Sequence, residues 1–353
     1  MAATYQNYSG GTFLGDLVTK PAFRDYVNQE IYERCQWIQS GVVTRNAALD
    51  ARDGGVRVEV PFFKPVTESE TTIGSSATWN TNGYLVPDNI TAGSQVATIL
   101  HRGGAFAADD LSKLGSGADP MQAVAGYMTK TILKLRSKTL LAMLGGIFGS
   151  ALSSNAVDVS QATSGAAEAN YLSAANVIKA QNVLGERGDE LDVIAMHSHV
   201  ANYLRQIGAL TFSTSALSTG GAITWGGGGL GAQAEPSLFM GLRVIVDDLL
   251  VPTINASGAD QYPVYLLSSG AINEGVQQET RYEFERNILS KQSVMSWDHH
   301  YCFHLGGVSW NSSSDNPENS ALSTSSNWAL RYTDARLVPA VKLTVNSPFA
   351  ANV

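Results

Sequence analysis

With 353 residues and a hydrophobic content of 44%, the chain has the length of about two domains and enough apolar material to build cores without covalent staples. Its two cysteines, Cys35 and Cys302, form no C-x-x-C pair, which excludes a disulfide framework and a four-cysteine zinc site and makes a reducing compartment the default. A formal charge of −8 argues against a broad basic face that grips nucleic acid, so any relation to DNA is expected to be containment.

Only 15% of the residues are charged, against about 25% in a typical soluble domain. Gly, Ser, Thr, Asn and Ala take their place, which suits a subunit packed against neighbours, because charge is depleted at interface cores. The opening MAATYQNYSGG lacks a basic region followed by an apolar core. No run of about 18 apolar residues follows anywhere, so neither leader-driven secretion nor a membrane span is expected.

Residues 1 to 20 read as an extended polar arm. A helix is expected from Pro21, with Phe23, Val27, Ile31, Cys35 and Ile38 forming one apolar stripe and Gly41 as its C-terminal cap. Cys35 on that stripe reads as a small buried hydrophobe. VRVEVPFF at 56 to 63 alternates Val56, Val58, Val60 and Phe62 with Arg57, Glu59 and Pro61, the pattern of a strand with one apolar face. A long polar stretch at 64 to 94, with a hairpin signal at Asn82-Gly83, separates it from a returning strand QVATILHR. Two strands flanking about 30 polar residues predict a projecting β-hairpin that needs partners to be ordered.

A long helix comes next, over 120 to 144. Asp119 is placed as N-cap, Pro120 at N1 and Gln122 to close a capping box, while Met121, Val124, Met128, Ile132, Leu135 and Leu141 to Leu144 keep the helical period. At roughly 25 residues, or about 37 Å, it reads as a spine on which sheets hang, too charged through Lys130, Lys134, Arg136 and Lys138 to cross a membrane. A small-residue loop at 151 to 170 leads into an α/β pattern: a helix through YLSAANVIKAQNVLGE, a strand LDVIAMHS and a helix HVANYLRQIG. A loop of mostly Gly, Ser, Thr and Ala covers 211 to 236. Strands follow in GLRVIVDDLL and PVYLLSSGAI, near 278 to 286, and from 293 to 308. A polar loop, NSSSDNPENSALSTSSN, precedes a last strand pair near WALRYT and VKLTVN.

Several motifs invite chemistry. GGGGLG at 226 to 231 meets G-x-G-x-x-G through Gly226, Gly228 and Gly231, but Pro236 and the short reach to the next strand leave no room for the helix that the motif needs. No GxxxxGK[ST], HExxH, GxSxG or EF-hand pattern occurs. His197 and His199 in MHSHV stand at a strand end where Ser198 could cap a helix, and the Asp109-Asp110 pair reads as a turn or helix start. WDHHYCFHLGG at 297 to 307 is the densest constellation. Read as a strand, it puts Asp298, His300, Cys302 and His304 on one face and Trp297, His299, Tyr301, Phe303 and Leu305 on the other. His300, Cys302 and His304 are the candidate metal ligands, spaced about 7 Å apart, but three residues of one flat strand rarely converge on a tetrahedral ion. The alternative is that the aromatic face is buried against the spine while the other is covered or open. At a subunit contact, such a row would titrate near pH 6.5.

The order of these pieces resembles the major capsid proteins of tailed bacteriophages, with the α+β Hong-Kong-97-like capsid fold. AADDLSKLGSGADPMQAVAGYMTKTILKLRSKTLLAMLGGIFG, with its DP-capped spine and Leu-Gly-Gly-Ile-Phe end, carries the likeness most strongly. NPENSALSTSSNW before the last strands adds to it. The resemblance implies an N-terminal arm and helix (1–55), an extended loop (56–106), a peripheral domain (107–150 and 276–353) and an axial α/β domain (151–275). It implies self-assembly as pentamers and hexamers into an icosahedral shell around double-stranded DNA, without catalysis or cofactor. Shells of this kind are built in the host cytoplasm and end in the virion. A separate scaffolding protein, a portal and a cement protein are the implied partners. Candidate intersubunit contacts are Arg57, Glu59, Lys64, Glu68, Glu70, Trp79, Tyr84 and Asp88 on the extended loop, with Trp225 and Gly228 near the capsomer axis. No cross-link residue is carried over. The competing reading is a nucleotide- or metal-dependent enzyme using the 226–231 glycines or the 297–304 cluster. A tail-tube protein is a third, against which the long spine argues.

Overall fold

The computed structural model describes residues 37, 40–50, 54–66, 89–116, 120–162, 166–212, 237–255 and 259–349. The expected helix over 21 to 38, the Asn82-Gly83 turn, the Asp119 cap and the 226–231 glycines lie outside these. In chain order the elements are β1 (Val43–Arg45), β2 (Arg57–Phe63), β3 (Ala92–Thr98), β4 (Leu100–Asp109), α1 (Asp110–Ser116) and α2 (Pro120–Gly149). Then come β5 (Ala156–Asp158), α3 (Ala174–Gln181), β6 (Val193–Met196), α4 (Ser198–Gln206), β7 (Thr211–Phe212), β8 (Ser237–Phe239), β9 (Leu242–Val246) and β10 (Gln261–Leu267). The last are β11 (Ile272–Asn287), β12 (Gln292–Leu305), β13 (Val308–Trp310), α5 (Asn319–Ser323), β14 (Trp328–Leu330) and β15 (Ala340–Asn346).

Among the described residues, two sheets and two ribbons result. A four-stranded sheet runs β1-β11-β12-β4, a seven-stranded one β5-β15-β10-β6-β9-β8-β7, and β2-β3 and β13-β14 pair alone. The class is α+β. β6 shows why its sequence, VIAM, is apolar throughout: Val193 and Ala195 join one core, Ile194 and Met196 the other. A strand covered on both faces loses its polar alternation. On one side lie α3 and α4, through Val177, Ala180, Val200 and Leu204. On the other lies the C-terminal half of α2, whose Leu140, Met143, Leu144 and Ile147 share a cluster with Tyr301, Phe303 and Leu305 of β12. The two sheets therefore meet on one helix.

That helix is 30 residues long, or about 45 Å. It runs past the expected stop at Leu144, although Gly145 and Gly146 would each weaken a helix by about 1 kcal/mol. Packing explains the extension. A Cβ on Gly146 would lie 2.1 Å from the Leu322 carbonyl oxygen and 2.7 Å from Trp328 Nε1, and that indole N–H donates to the same carbonyl at 2.8 Å. Gly146→Ala is expected to lower stability by at least about 1 to 3 kcal/mol. At Gly145 an added Cβ meets nothing within 4 Å, so Gly145→Ala is expected to be neutral or stabilising. Urea midpoints of the two variants check the contrast. Leu135, placed on the apolar stripe, is instead 41% exposed.

Further expectations change. QVATILHR is not one strand: the chain breaks at Ile99, so that β3 pairs with β2 while β4 crosses to pair with β12. WALRYT and VKLTVN do not pair with each other, because β14 joins β13 and β15 lies between β10 and β5. The polar loop at 311 to 327 holds the short helix α5.

Candidate functional site

Strand β12 carries the densest set of titratable side chains, and its two faces have different fates. Trp297 packs with Met128 and Ile132 of α2. His299 lies between Trp297 and Tyr301, with ring centroids 5.2 and 4.8 Å away. The Arg136 guanidinium of α2 sits 5.0 Å over Tyr301 and 5.9 Å over Phe303 and pairs with Glu274, the β11 residue opposite Phe303. Burial pushes His299 down to about 4, and the nearby Arg136 cation adds to that. The aromatic face is thus buried against the spine, as the alternation predicts.

The opposite face is covered by the same chain. His300 stacks on His101 of β4 at 4.2 Å and 10°, with Nε2 3.8 Å from Asp298 Oδ2. Asp298 accepts from Gln278 Nε2 at 2.8 Å. Cys302 is buried with Leu49, Ala97, Val58 and Val60, and burial pushes its thiol up to about 11. His304 is 4% exposed, and burial pushes it down to about 4. The three candidate ligands are strung along a strand, each with its own surroundings. Among the described residues, no group of three or more His, Cys, Asp or Glu side chains is placed to hold a metal ion. Titration of this row near pH 6.5 is corrected: desolvation disfavours both imidazolium ions, lowering His300 as well.

His197 and His199 form a smaller cluster. His197, not Ser198, caps α4, its Nδ1 accepting the His199 N–H at 3.1 Å, while Asp248 accepts from Ser198 N at 3.0 Å. His199 Nδ1 and the Tyr262 hydroxyl are 2.9 Å apart. These contacts tie a helix start to β10 and to the turn that follows β9. Asp110 begins α1 and pairs with Arg286 at 2.6 Å.

The hairpin β2-β3 is the other site. Its base is fixed at several points: Arg57 donates to Asp315 at 2.9 Å, Val96 N–H to Ser309 Oγ at 2.9 Å, and Gly307 N–H to Gln95 Oε1 at 2.6 Å. The Phe62 ring meets Tyr332 edge to face at 5.2 Å. Gly307 stands at φ 90° with no room for a Cβ beside Tyr332, so only glycine makes this turn without strain. Beyond the base the ribbon carries bare apolar side chains, with Phe63 80%, Val66 63% and Ile90 71% exposed. Glu59 and Lys64 are exposed, whereas Arg57 is engaged within the chain. Glu68, Glu70, Trp79, Tyr84, Asp88, Trp225 and Gly228 lie outside the described residues.

A second apolar surface escaped the sequence reading. Phe284, Ile288 and Leu289 at the turn of β11 and β12 are exposed, as are Leu111 and Leu114 of α1. Tyr282 and Phe284 alternate with Arg281, Glu283 and Glu285, a pattern that looks the same whether the apolar face meets a core or solvent. Exposed apolar surfaces of this kind mark contacts with other molecules.

The Gp13-like family, described as major capsid protein 13-like, matches residues 106–341. The major capsid protein of Bacillus phage SPP1 is 27% identical over 331 residues, covering 91% of this chain and 94% of that protein. Among solved structures, the capsid of Ralstonia phage GP4 covers 93% of this chain and 96% of its own at 9% identity, with a TM-score of 0.61. The Cyanophage Pam1 capsid asymmetric unit covers 94% and 98% at 11% identity, with a TM-score of 0.57. A spine helix between two sheets, a hairpin with bare apolar strands and these matches lead to one conclusion: the chain belongs to the Gp13-like major capsid protein family of tailed bacteriophages and has their capsid fold.

Proposed function

We propose that the chain assembles as pentamers and hexamers into an icosahedral shell that encloses packaged double-stranded DNA without reading its sequence. In this reading 1–55 is the clasping arm and 56–106 the loop laid over a neighbour. Residues 107–150 with 276–353 form the peripheral domain, and 151–275 the axial domain around the capsomer axis. Assembly takes place in the host cytoplasm on a separate scaffolding protein, with a portal at one vertex and a cement protein as a further partner. Glu59, Lys64, Glu68, Glu70, Trp79, Tyr84, Asp88, Trp225 and Gly228 are proposed contacts between subunits, and Arg57 fixes the loop from which most of them extend. The subunit has no catalytic role.

The observation that carries this reading is the hairpin. A two-stranded ribbon is marginal in water by itself, yet β2-β3 leaves the molecule with Phe63, Val66 and Ile90 bare. A neighbouring subunit would cover them. Replacing residues 64 to 91 with Asn-Gly closes the ribbon while leaving the Arg57, Gln95 and Phe62 contacts in place. The expected result in negatively stained images is closed shells for the parent chain with its scaffold and none for the shortened one, at similar melting temperatures. A parent chain that stays monomeric, or a shortened chain that builds the same shells, overturns the proposal.

A further inference from the structure

The 30 residues of α2 contain no Asp or Glu and four basic residues, in a chain where acids outnumber bases by 31 to 23. One of the four, Arg136, turns toward the sheet and pairs with Glu274. The others, Lys130, Lys134 and Lys138, recur every fourth residue and so form one row, with Lys130 and Lys138 exposed and Lys134 half-buried. Like charges at this spacing repel. We propose that this lysine row binds the phosphate backbone of duplex DNA, as the inner lining of the shell; this rests on the proposed reading of the chain as a DNA-enclosing subunit.

Placement supports the direction. α2 covers one broad side of the four-stranded sheet, through Met128, Ile132 and Arg136. Leu49 and the base of the β2-β3 hairpin cover the opposite side, over Cys302. The ribbon that reaches neighbours and the lysine row thus leave from opposite sides of the subunit, and a closed shell turns one of those sides toward its contents. Spacing supports the ligand. Successive lysines rise about 6 Å along the helix, and phosphates on one DNA strand follow every 3.4 Å or so along the duplex axis. Flexible four-carbon stems let each ammonium find its own phosphate, as point charges without geometric preference. That is how a protein holds DNA without reading it. With a net charge of −8, the subunit as a whole repels the polymer, so binding depends on local runs of basic side chains such as this row.

The test measures binding of a short labelled duplex to the full-length chain by fluorescence anisotropy over a range of NaCl concentrations. Lys130→Gln/Lys134→Gln/Lys138→Gln is expected to weaken binding on the order of 10²-fold at about 0.1 M salt and to flatten the slope of log K against log[salt] by about 2 to 3, with the matching Lys→Arg variant close to the parent chain. If the triple variant does not fold, Lys130→Gln/Lys138→Gln alters only exposed side chains and is expected to flatten the slope by about 2. An unchanged affinity and slope overturn the inference. So does a Gln variant that keeps its DNA affinity but loses binding to polyglutamate, which would make the row a site for an acidic protein. Shell imaging of the same variants separates the two proposals. Shells formed by both chains with DNA binding unchanged sink only the lysine row, whereas a parent chain that forms no shells sinks the reading beneath it.

Discussion

Arg136→Leu is expected to lower the free energy of unfolding by about 3 to 5 kcal/mol, the cost of removing one member of a buried ion pair. The Arg136 and Glu274 side chains are 20% and 12% exposed, and the guanidinium lies over the rings of Tyr301 and Phe303. Leucine would keep much of the packing but leave the Glu274 carboxylate in a desolvated gap between helix and sheet. The loss therefore comes mainly from an uncompensated charge. Arg136→Leu/Glu274→Leu removes both charges and is expected to recover most of the stability, since an apolar pair of similar volume can replace a buried ion pair at little cost. Urea unfolding of the parent, both single variants and the double variant at pH 7 gives the coupling directly. A single-variant loss below about 1 kcal/mol, the range of a surface pair, would show that this contact does not hold α2 to β11.

How far the chain could be read without its structure depends on the range of the forces involved. The spine helix was legible because its cap, period and length are local properties of Pro120 to Leu144. Its last turn was not, because Gly145 and Gly146 signal a stop and only the distant Leu322 and Trp328 explain why the helix continues. The alternation in β12 correctly divides Trp297, Tyr301 and Phe303 from His300, Cys302 and His304. It says nothing of what covers the second face, which is Leu49 and the hairpin base, more than 200 residues earlier. β3 and β4 read as one strand because strand propensity continues through Ile99, while the change of partner is a tertiary event. The same holds for Tyr282 and Phe284: alternation marks an apolar face, and only the assembled fold leaves it bare.

Acid is expected to loosen the subunit through its buried histidines, not through a switch near neutrality. In the unfolded chain His304 titrates near its ordinary 6.5, whereas burial holds it at about 4 in the fold. Between these values the unfolded chain binds more protons than the folded one, so stability rises with pH across this window. The contribution of the neutral ring is complete above about pH 6.5, falls away as pH drops through 4 and loses nothing further below. At 1.36 kcal/mol for each pH unit of displacement, His304 accounts for up to about 3 kcal/mol. His299, also held at about 4, acts in the same direction from the other face of β12. Because the Arg136 cation contributes to that depression, Arg136→Leu should raise the His299 value and soften its share of the acid response. The measurement is the unfolding free energy of the parent and His304→Phe between pH 7 and pH 4. The parent is expected to lose up to about 3 kcal/mol more than the variant over that interval, with little difference between the two pH profiles above pH 7. Identical profiles would mean that His304 is protonated as readily in the fold as outside it, which is incompatible with its burial beside Cys302 and Leu305 on a strand covered from both sides.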